Sequence, residues 1–325
     1  TFKEKHTYLN LYNNITLFKT KSGYFNKAKT NQQFKKWFKN KNKIFKLKTK
    51  LKNFDLIISD FVPEAFELAK ELKIKSYGVC HYTWSWFFEK TNYKNKNEIR
   101  ILKEIESKAN KIFFPPFTPK DIFFNLEQKK YKKINFITEK KNNKKFSKNN
   151  KPIVLIMDNG TRTLNKKISQ TLPEIKKNKK FHFYIGTNSL DKNHKNFILN
   201  ADNITPVLGL KSIYEQILKS DLVIARGGFN TISECLIYKK AALISEEKNN
   251  PEITSNLKII FKQKIAGEMK FSHWGKNFNQ RLEQFYRFEK NKIEKKIEKL
   301  NYLSNGSIQV VNYIKKEFEN GKNNC

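Results

Sequence analysis

Short apolar runs bounded by turn residues alternate with longer amphipathic stretches along this chain, and that alternation limits the fold more than any other feature. Parallel strands must be joined by crossover connections, usually helices, so the pattern reads as β-α units wound around parallel sheets. In the first half, Asp55–Ser59 (DLIIS) reads as a buried strand, Val62–Leu72 as a helix with Pro63 in its first turn, and Ser76–Cys80 and Lys111–Phe114 as further strands. In the second half, strands are expected at Ile153–Met157, Phe181–Ile185, Asp221–Ala225 and Ala241–Ser245. Helices are expected around Lys166–Ile175, at Ser212–Lys219 and Thr231–Tyr238, and from Pro251 onward.

The 325 residues exceed one ordinary core and suit two α/β domains of about 150 residues each. Between Glu139 and Pro152 runs EKKNNKKFSKNNKP, almost without apolar residues, which reads as the link between them. The expected organisation is a Rossmann-like domain over residues 1–140, a linker over 141–152 and a second Rossmann-like domain over 153–325. In tandem doubly wound domains, ligand is expected where the carboxyl ends of the two sheets face each other.

The net charge of +36 invites a nucleic-acid reading. Only five of the 66 basic residues are arginine, however, and recognition of bases and phosphates favours the bidentate arginine fork. Lysine-rich drift, together with abundant asparagine, isoleucine and phenylalanine, accounts for the charge more simply; a basic protein contacting nucleic acid or an anionic membrane stays as the rival outside the enzymes. Cys80, Cys235 and Cys325 are far apart and in no metal-ligand spacing, which predicts neither a disulfide framework nor a zinc site and points to a cytoplasmic setting. No apolar run reaches the roughly 20 residues that span a bilayer, so any membrane contact is expected to be peripheral, at the inner face.

The most informative segment is Ser220–Glu234, SDLVIARGGFNTISE. A buried strand runs into Arg226, Gly227 and Gly228, and a helix opens at Asn230 or Thr231. Paired glycines admit a diphosphate close to the backbone, and the free N–H groups and dipole of the following helix favour anionic oxygens. Equally, such a turn can need glycine only for its backbone angles. Glu234, one turn in, is placed to accept from ribose hydroxyls; Glu252 and Asn256, eighteen positions on and after the next strand, return to the same sheet edge.

This arrangement resembles the donor site of GT-B glycosyltransferases, as in the lipid-II N-acetylglucosaminyltransferase and the glucuronosyltransferases: a strand, a Gly-Gly-x-x-Thr-x-x-Glu turn and helix, a strand, then a Glu-x-x-x-Asn helix start. The resemblance implies that Gly227, Gly228 and Thr231 serve the diphosphate and that Glu234 and Glu252 serve the ribose, with Arg226 and Asn256 also in the donor site. Where such families often carry glutamine after the second glutamate, this chain has Ile253. Asn159 and Gly160, after the first strand of the second half, fall where the family sets a glycine loop near the phosphates, or form a simple turn; Leu210 falls where the main chain contacts the base.

Asp55–Lys90 is similar to the amino-terminal glycosyltransferase-like domain of arabinokinase, with a Ser-Asp-x-x-Pro strand end and a following aromatic loop. Asp60 and His81 are the candidate catalytic groups, as base or orienter of an acceptor hydroxyl; Asp60 can equally be a helix cap, and His81, Trp84 and Trp86 read either as a partly buried aromatic loop or as ring faces that stack on a sugar. Relatives open with a strand and a Gly-His-Gly-type loop that Thr1–Asp60 lacks, so the first domain is expected to be incomplete, through amino-terminal truncation or loss of that loop, and turnover by the chain to be poor. The function expected from the resemblance is metal-independent transfer of a hexose-type sugar from a nucleotide diphosphate sugar, a uridine one, to an acceptor hydroxyl, the nucleotide sugar being substrate and no cofactor being needed. A sugar-nucleotide epimerase or hydrolase of the same fold is the rival enzyme.

Overall fold

The computed structural model describes residues 14–124, 126–138, 150–158, 162–190, 201–207, 213–247 and 249–322. Two compact units emerge, each with its own sheet. The first comprises the chain up to Phe18, then Asn26–Phe114 and Lys120–Lys132; the second comprises Lys19–Phe25, Pro115–Pro119 and everything from Lys133. The division thus falls at Lys132 and not after residue 140, because Phe136 is fully buried against Phe117 and Tyr302 of the second unit. Most of the expected linker, residues 139–149, lies outside the described residues.

In the first unit, strands β1 (Leu56–Ser59), β2 (Lys75–Val79), β3 (Lys111–Phe114) and β4 (Tyr131–Lys133) lie in that order, the first three parallel. Helices α1 (Lys27–Asn40), α2 (Lys48–Leu51), α3 (Pro63–Glu71), α4 (Trp84–Lys90), α5 (Lys96–Glu106) and α6 (Lys120–Phe123) accompany them. Their starts follow local chemistry: the side chains of Asn26, Thr83 and Asn95 accept from the amides of Lys29, Trp86 and Glu98, and Pro63 occupies the first turn of α3. Phe34 and Trp37 of α1, Phe88, Tyr93 and the α5 residues Ile99, Leu102 and Ile105 form one core, with the Phe34 and Phe88 rings 4.0 Å apart. Burying such a side chain contributes about 1.5–3 kcal/mol. The stretch after β2, expected as an aromatic loop, is helix α4: Phe87 and Phe88 are buried, and Trp86 is buried with its indole N–H donating to Asp121 at 3.0 Å. Packing decides the open question at Trp86.

The second unit is a six-stranded parallel sheet, ordered β10-β9-β8-β5-β6-β7. The strands are β5 (Ile153–Met157), β6 (His182–Gly186), β7 (Ile204–Val207), β8 (Leu222–Arg226), β9 (Ala242–Ser245) and β10 (Gly267–Met269). Its described helices are α7 (Asn165–Lys177), α8 (Ile213–Lys219), α9 (Phe229–Ile237), α10 (Pro251–Lys262), α11 (Phe278–Gln284), α12 (Lys290–Leu300) and α13 (Gly306–Lys322). The order runs outward from β5 through β6 to β7, then resumes on the other side with β8. This reversal opens a crevice at the carboxyl ends of β5 and β8, where doubly wound sheets bind ligands. β5 and β8 are fully apolar and buried up to Arg226, as a central parallel pair requires.

Candidate functional site

At that reversal, Met157 and Asp158 from the end of β5 and Ala225, Arg226, Gly228 and Thr231 from the end of β8 and the start of α9 line a small recess. Helix α9 opens here, and the first N–H groups of any helix have no intrahelical acceptor. Gly228 adopts φ −70° and ψ 141°, ordinary extended backbone, and Gly227 is not in the left-handed region either, so backbone angles do not explain the glycine pair. Space does. A Cβ on Gly227 would meet the Leu257 side chain of α10 at 3.0 Å, whereas a Cβ on Gly228 would meet only the Arg226 guanidinium, from 3.3 Å. The first glycine lets α10 pack against the turn; the second lets the Arg226 guanidinium lie close against the start of α9.

The Arg226 side chain is held rather than free. Its Nη1 pairs with Glu247 at 2.6 Å, and the other oxygen of Glu247 accepts from Lys19 Nζ at 2.5 Å and from Asn250 Nδ2 at 3.2 Å. The Glu247 carboxylate is fully shielded from solvent while Lys19 and Arg226 stay partly exposed. Lys19 arrives on the hairpin Lys19–Phe25, whose Thr20 amide donates to Tyr24 O at 2.8 Å. Gly23, at φ +82°, lies so close to Arg162 and Thr163 that a Cβ would fall 2.2 Å from the Arg162 carbonyl carbon; its own carbonyl accepts from Thr163 Oγ1 at 2.8 Å. Burial first, then the carboxylates of Glu246, Glu247 and Asp158, raise the Tyr24 phenol above its ordinary range. Asp158, itself buried, accepts from the Leu164 amide at 2.6 Å just ahead of α7. Lys19, Tyr24 and Glu247 did not stand out in the sequence, whereas Asp158 opens the Asp158–Thr161 turn expected near the phosphates; the acidic pair Glu246-Glu247 after β9 is the signal that could have found Glu247.

The expected donor residues are partly gathered. Thr231 lines the recess, buried, and Glu234 lies one turn further along α9, half-buried. The Glu252 carboxylate reaches the start of α9, where the Phe229 amide donates to it at 3.4 Å. Asn256 is buried behind the turn, its side-chain amide donating to Gly227 O at 3.1 Å, so it shapes the glycine turn from beneath. Asn159, Gly160 and Leu210 lie outside the described residues.

In the first unit, Asp60 and His81 follow strands β1 and β2, paired in register with Ser59 beside Gly78, so both come to the same sheet edge. Asp60 is exposed and does not cap α3: Ser59 Oγ accepts from the Val62 amide at 2.8 Å instead. Phe61 sits at φ +50°, a left-handed conformation costing about 1–2 kcal/mol for a bulky residue. The Trp84 indole N–H donates to its carbonyl at 3.0 Å and holds the turn that presents Asp60. His81 stacks edgewise on Tyr82 at 4.7 Å. Burial, with the Glu106 and Asp60 carboxylates nearby, pushes the intervening Cys80 thiol well up. Among the described residues, no group of three His, Cys, Asp or Glu side chains is placed to hold a metal ion, and no helix is long and apolar enough to cross a membrane.

Residues 159–269 match the family model of the glycosyltransferase family 28 C-terminal domain. A comparison with curated proteins finds no match. Among solved structures, the glycotransferase of kitacinnamycin is similar over 90% of this chain and 83% of its own, at 9% identity and a TM-score of 0.67. MurG of Acinetobacter baumannii is similar over 88% of this chain and 80% of its own, at 14% identity and a TM-score of 0.54. UGT2 of Phytolacca americana, solved with UDP-2fluoro-glucose and pterostilbene, is similar over 84% of this chain and 76% of its own, at 11% identity and a TM-score of 0.56. The second unit thus carries a match to a glycosyltransferase family, and the chain has the GT-B fold of these solved glycosyltransferases.

Proposed function

We propose that the chain transfers a sugar from a uridine diphosphate sugar to an acceptor hydroxyl without a metal ion. The observation that carries this reading is the recess at Gly228, where the Arg226 guanidinium lies against the glycine and the start of α9, at the strand reversal of the second unit. Helix amides and Arg226 would bind the diphosphate and stabilise the charge that develops on it as the glycosidic bond breaks. Glu234 and Glu252 would accept from ribose hydroxyls. Asp60 and His81 would orient the acceptor hydroxyl and take its proton. The UDP-sugar bound in the plant enzyme supports the choice of base.

Isothermal titration against uridine, thymidine, adenosine and guanosine diphosphates and their sugar conjugates tests this directly. UDP or a UDP-sugar should bind, and a flat response across the panel would sink the proposal. Glu234→Ala should weaken that binding by about 1–3 kcal/mol, roughly 5- to 150-fold, the loss expected for charge-assisted hydrogen bonds. Unchanged affinity in a folded variant would remove Glu234 from the site. Adding EDTA should leave the affinity unaltered, because helix amides and a guanidinium take the place of a bridging cation; a chelator-sensitive affinity would contradict metal independence.

A further inference from the structure

We propose that the turn joining α12 and α13, with the segment packed beside it, is a docking surface for an anionic lipid bilayer. Nine large apolar side chains are exposed among the described residues, and five of them gather here: Ile137, Leu300, Leu303, Ile308 and Val311, each 39–48% exposed. Backbone hydrogen bonds tie the two stretches together. The Phe136 amide donates to Leu303 O and the Gly306 amide to Phe136 O, both at 3.0 Å, while Asn135 Nδ2 donates to Asn305 at 2.6 Å. Ile308, Val311 and Lys315 recur at i, i+3 and i+7 along α13, one exposed stripe ending in a cation, while Val310 faces inward.

Charge identifies the occupant. Residues 290–322 carry eight lysines and no arginine against four glutamates. Lys292, Lys295, Lys296 and Lys299 of α12 and Lys315 and Lys316 of α13 are all exposed, and Lys296 lies one turn from Leu300. Aliphatic side chains set among lysines suit the boundary of an anionic bilayer, where the apolar tips enter between headgroups and each lysine adds attraction to acidic lipids. A protein partner would more typically meet Trp, Tyr or Arg anchors, and nucleic acid the arginine fork. A second copy of the chain, paired face to face through this patch, would set lysines against lysines. This surface lies on the second unit's terminal helices, apart from the recess at β5 and β8, so its test is separate from that of the donor site.

Vesicle co-sedimentation of the full chain tests the assignment, with phosphatidylcholine vesicles that contain or lack phosphatidylglycerol. Binding is expected only to the anionic vesicles and should fall with added salt. Ile308→Ser/Val311→Ser should lower the apparent partition coefficient by roughly tenfold, and Lys295→Glu/Lys296→Glu/Lys299→Glu by at least as much. Both changes are at exposed positions and should leave the melting transition in place. The control Lys35→Glu/Lys36→Glu, on exposed positions of α1, should change binding by less than about threefold. Equal loss in the control would mean that general surface charge drives binding and would overturn the assignment. So would an absence of vesicle binding, or a dimer that Ile308→Ser/Val311→Ser dissolves, which would give the face to a second copy.

Discussion

Glu247→Ala is expected to destabilise the second unit by about 3 kcal/mol. The carboxylate is fully shielded and pairs at once with Arg226 at 2.6 Å and Lys19 at 2.5 Å, while Asn250 donates to it at 3.2 Å. Removing one member of a buried ion pair leaves the others uncompensated, which costs about 3–5 kcal/mol; the low end applies because Lys19 and Arg226 keep some contact with water. Hydrogen exchange should report it locally, as faster exchange of the amides in β5 and β8 with little change in the first unit. Glu247→Gln, which can still accept from Lys19 and Arg226, should recover part of the loss, and Lys19→Met combined with Glu247→Ala should cost less than the two single changes added together. Strict additivity of Lys19→Met and Glu247→Ala would show that the pair seen in the structure contributes nothing.

The second large effect is a pH dependence in the first unit, centred on Glu106. This α5 side chain is buried against the start of α4, where its oxygens accept from the Ser85 amide at 3.0 Å and from Ser85 Oγ. Burial pushes its carboxyl from 4.5 up to about 7, against the opposing hydrogen bonds from Ser85 and Trp84 and the Lys103 charge. The folded state therefore holds the proton more tightly than the unfolded chain. The stabilising contribution is complete below about pH 4.5, declines as pH rises, and is gone once pH passes about 7. The size of the shift corresponds to about 3 kcal/mol. Glu106→Gln keeps an acceptor for Ser85 and cannot ionise, so relative to the parent it should gain stability by about this amount between pH 4.5 and 8. Three of the four tryptophans, Trp37, Trp84 and Trp86, lie in the first unit, so urea titrations followed by fluorescence in a Trp274→Phe background measure it. Parallel pH profiles for the two chains would refute the role of Glu106.

Element types were legible because their signal is local. The strands Lys111–Phe114 and Ile153–Met157 stand where their apolar runs predict, and α10 begins at Pro251 as its proline and preceding asparagine require. The turn Arg226–Gly228 was legible for the same reason, since strand, glycines and helix follow one another within a dozen residues. Helix α4 was misread as a loop because its WSWFFEK stretch is only seven residues long and four of them are aromatic, so no periodicity says which rings are to be buried.

By itself, then, the sequence determined the alternation of strands and helices, the two-unit α/β class and the position of the glycine turn at a strand end, since each depends on periodicity or capping within a few residues. Only the tertiary structure decided which charges count. Glu106 shares α5 with Glu98 and Glu104 and differs from them only through burial beside Ser85. Lys19 meets Glu247 across 228 positions of chain, and the hairpin that carries it belongs to the far unit because Gly23 alone can approach the Arg162–Thr163 backbone so closely. Such pairings follow from how the sheets order their strands and which faces they bury, and no local run of residues encodes either.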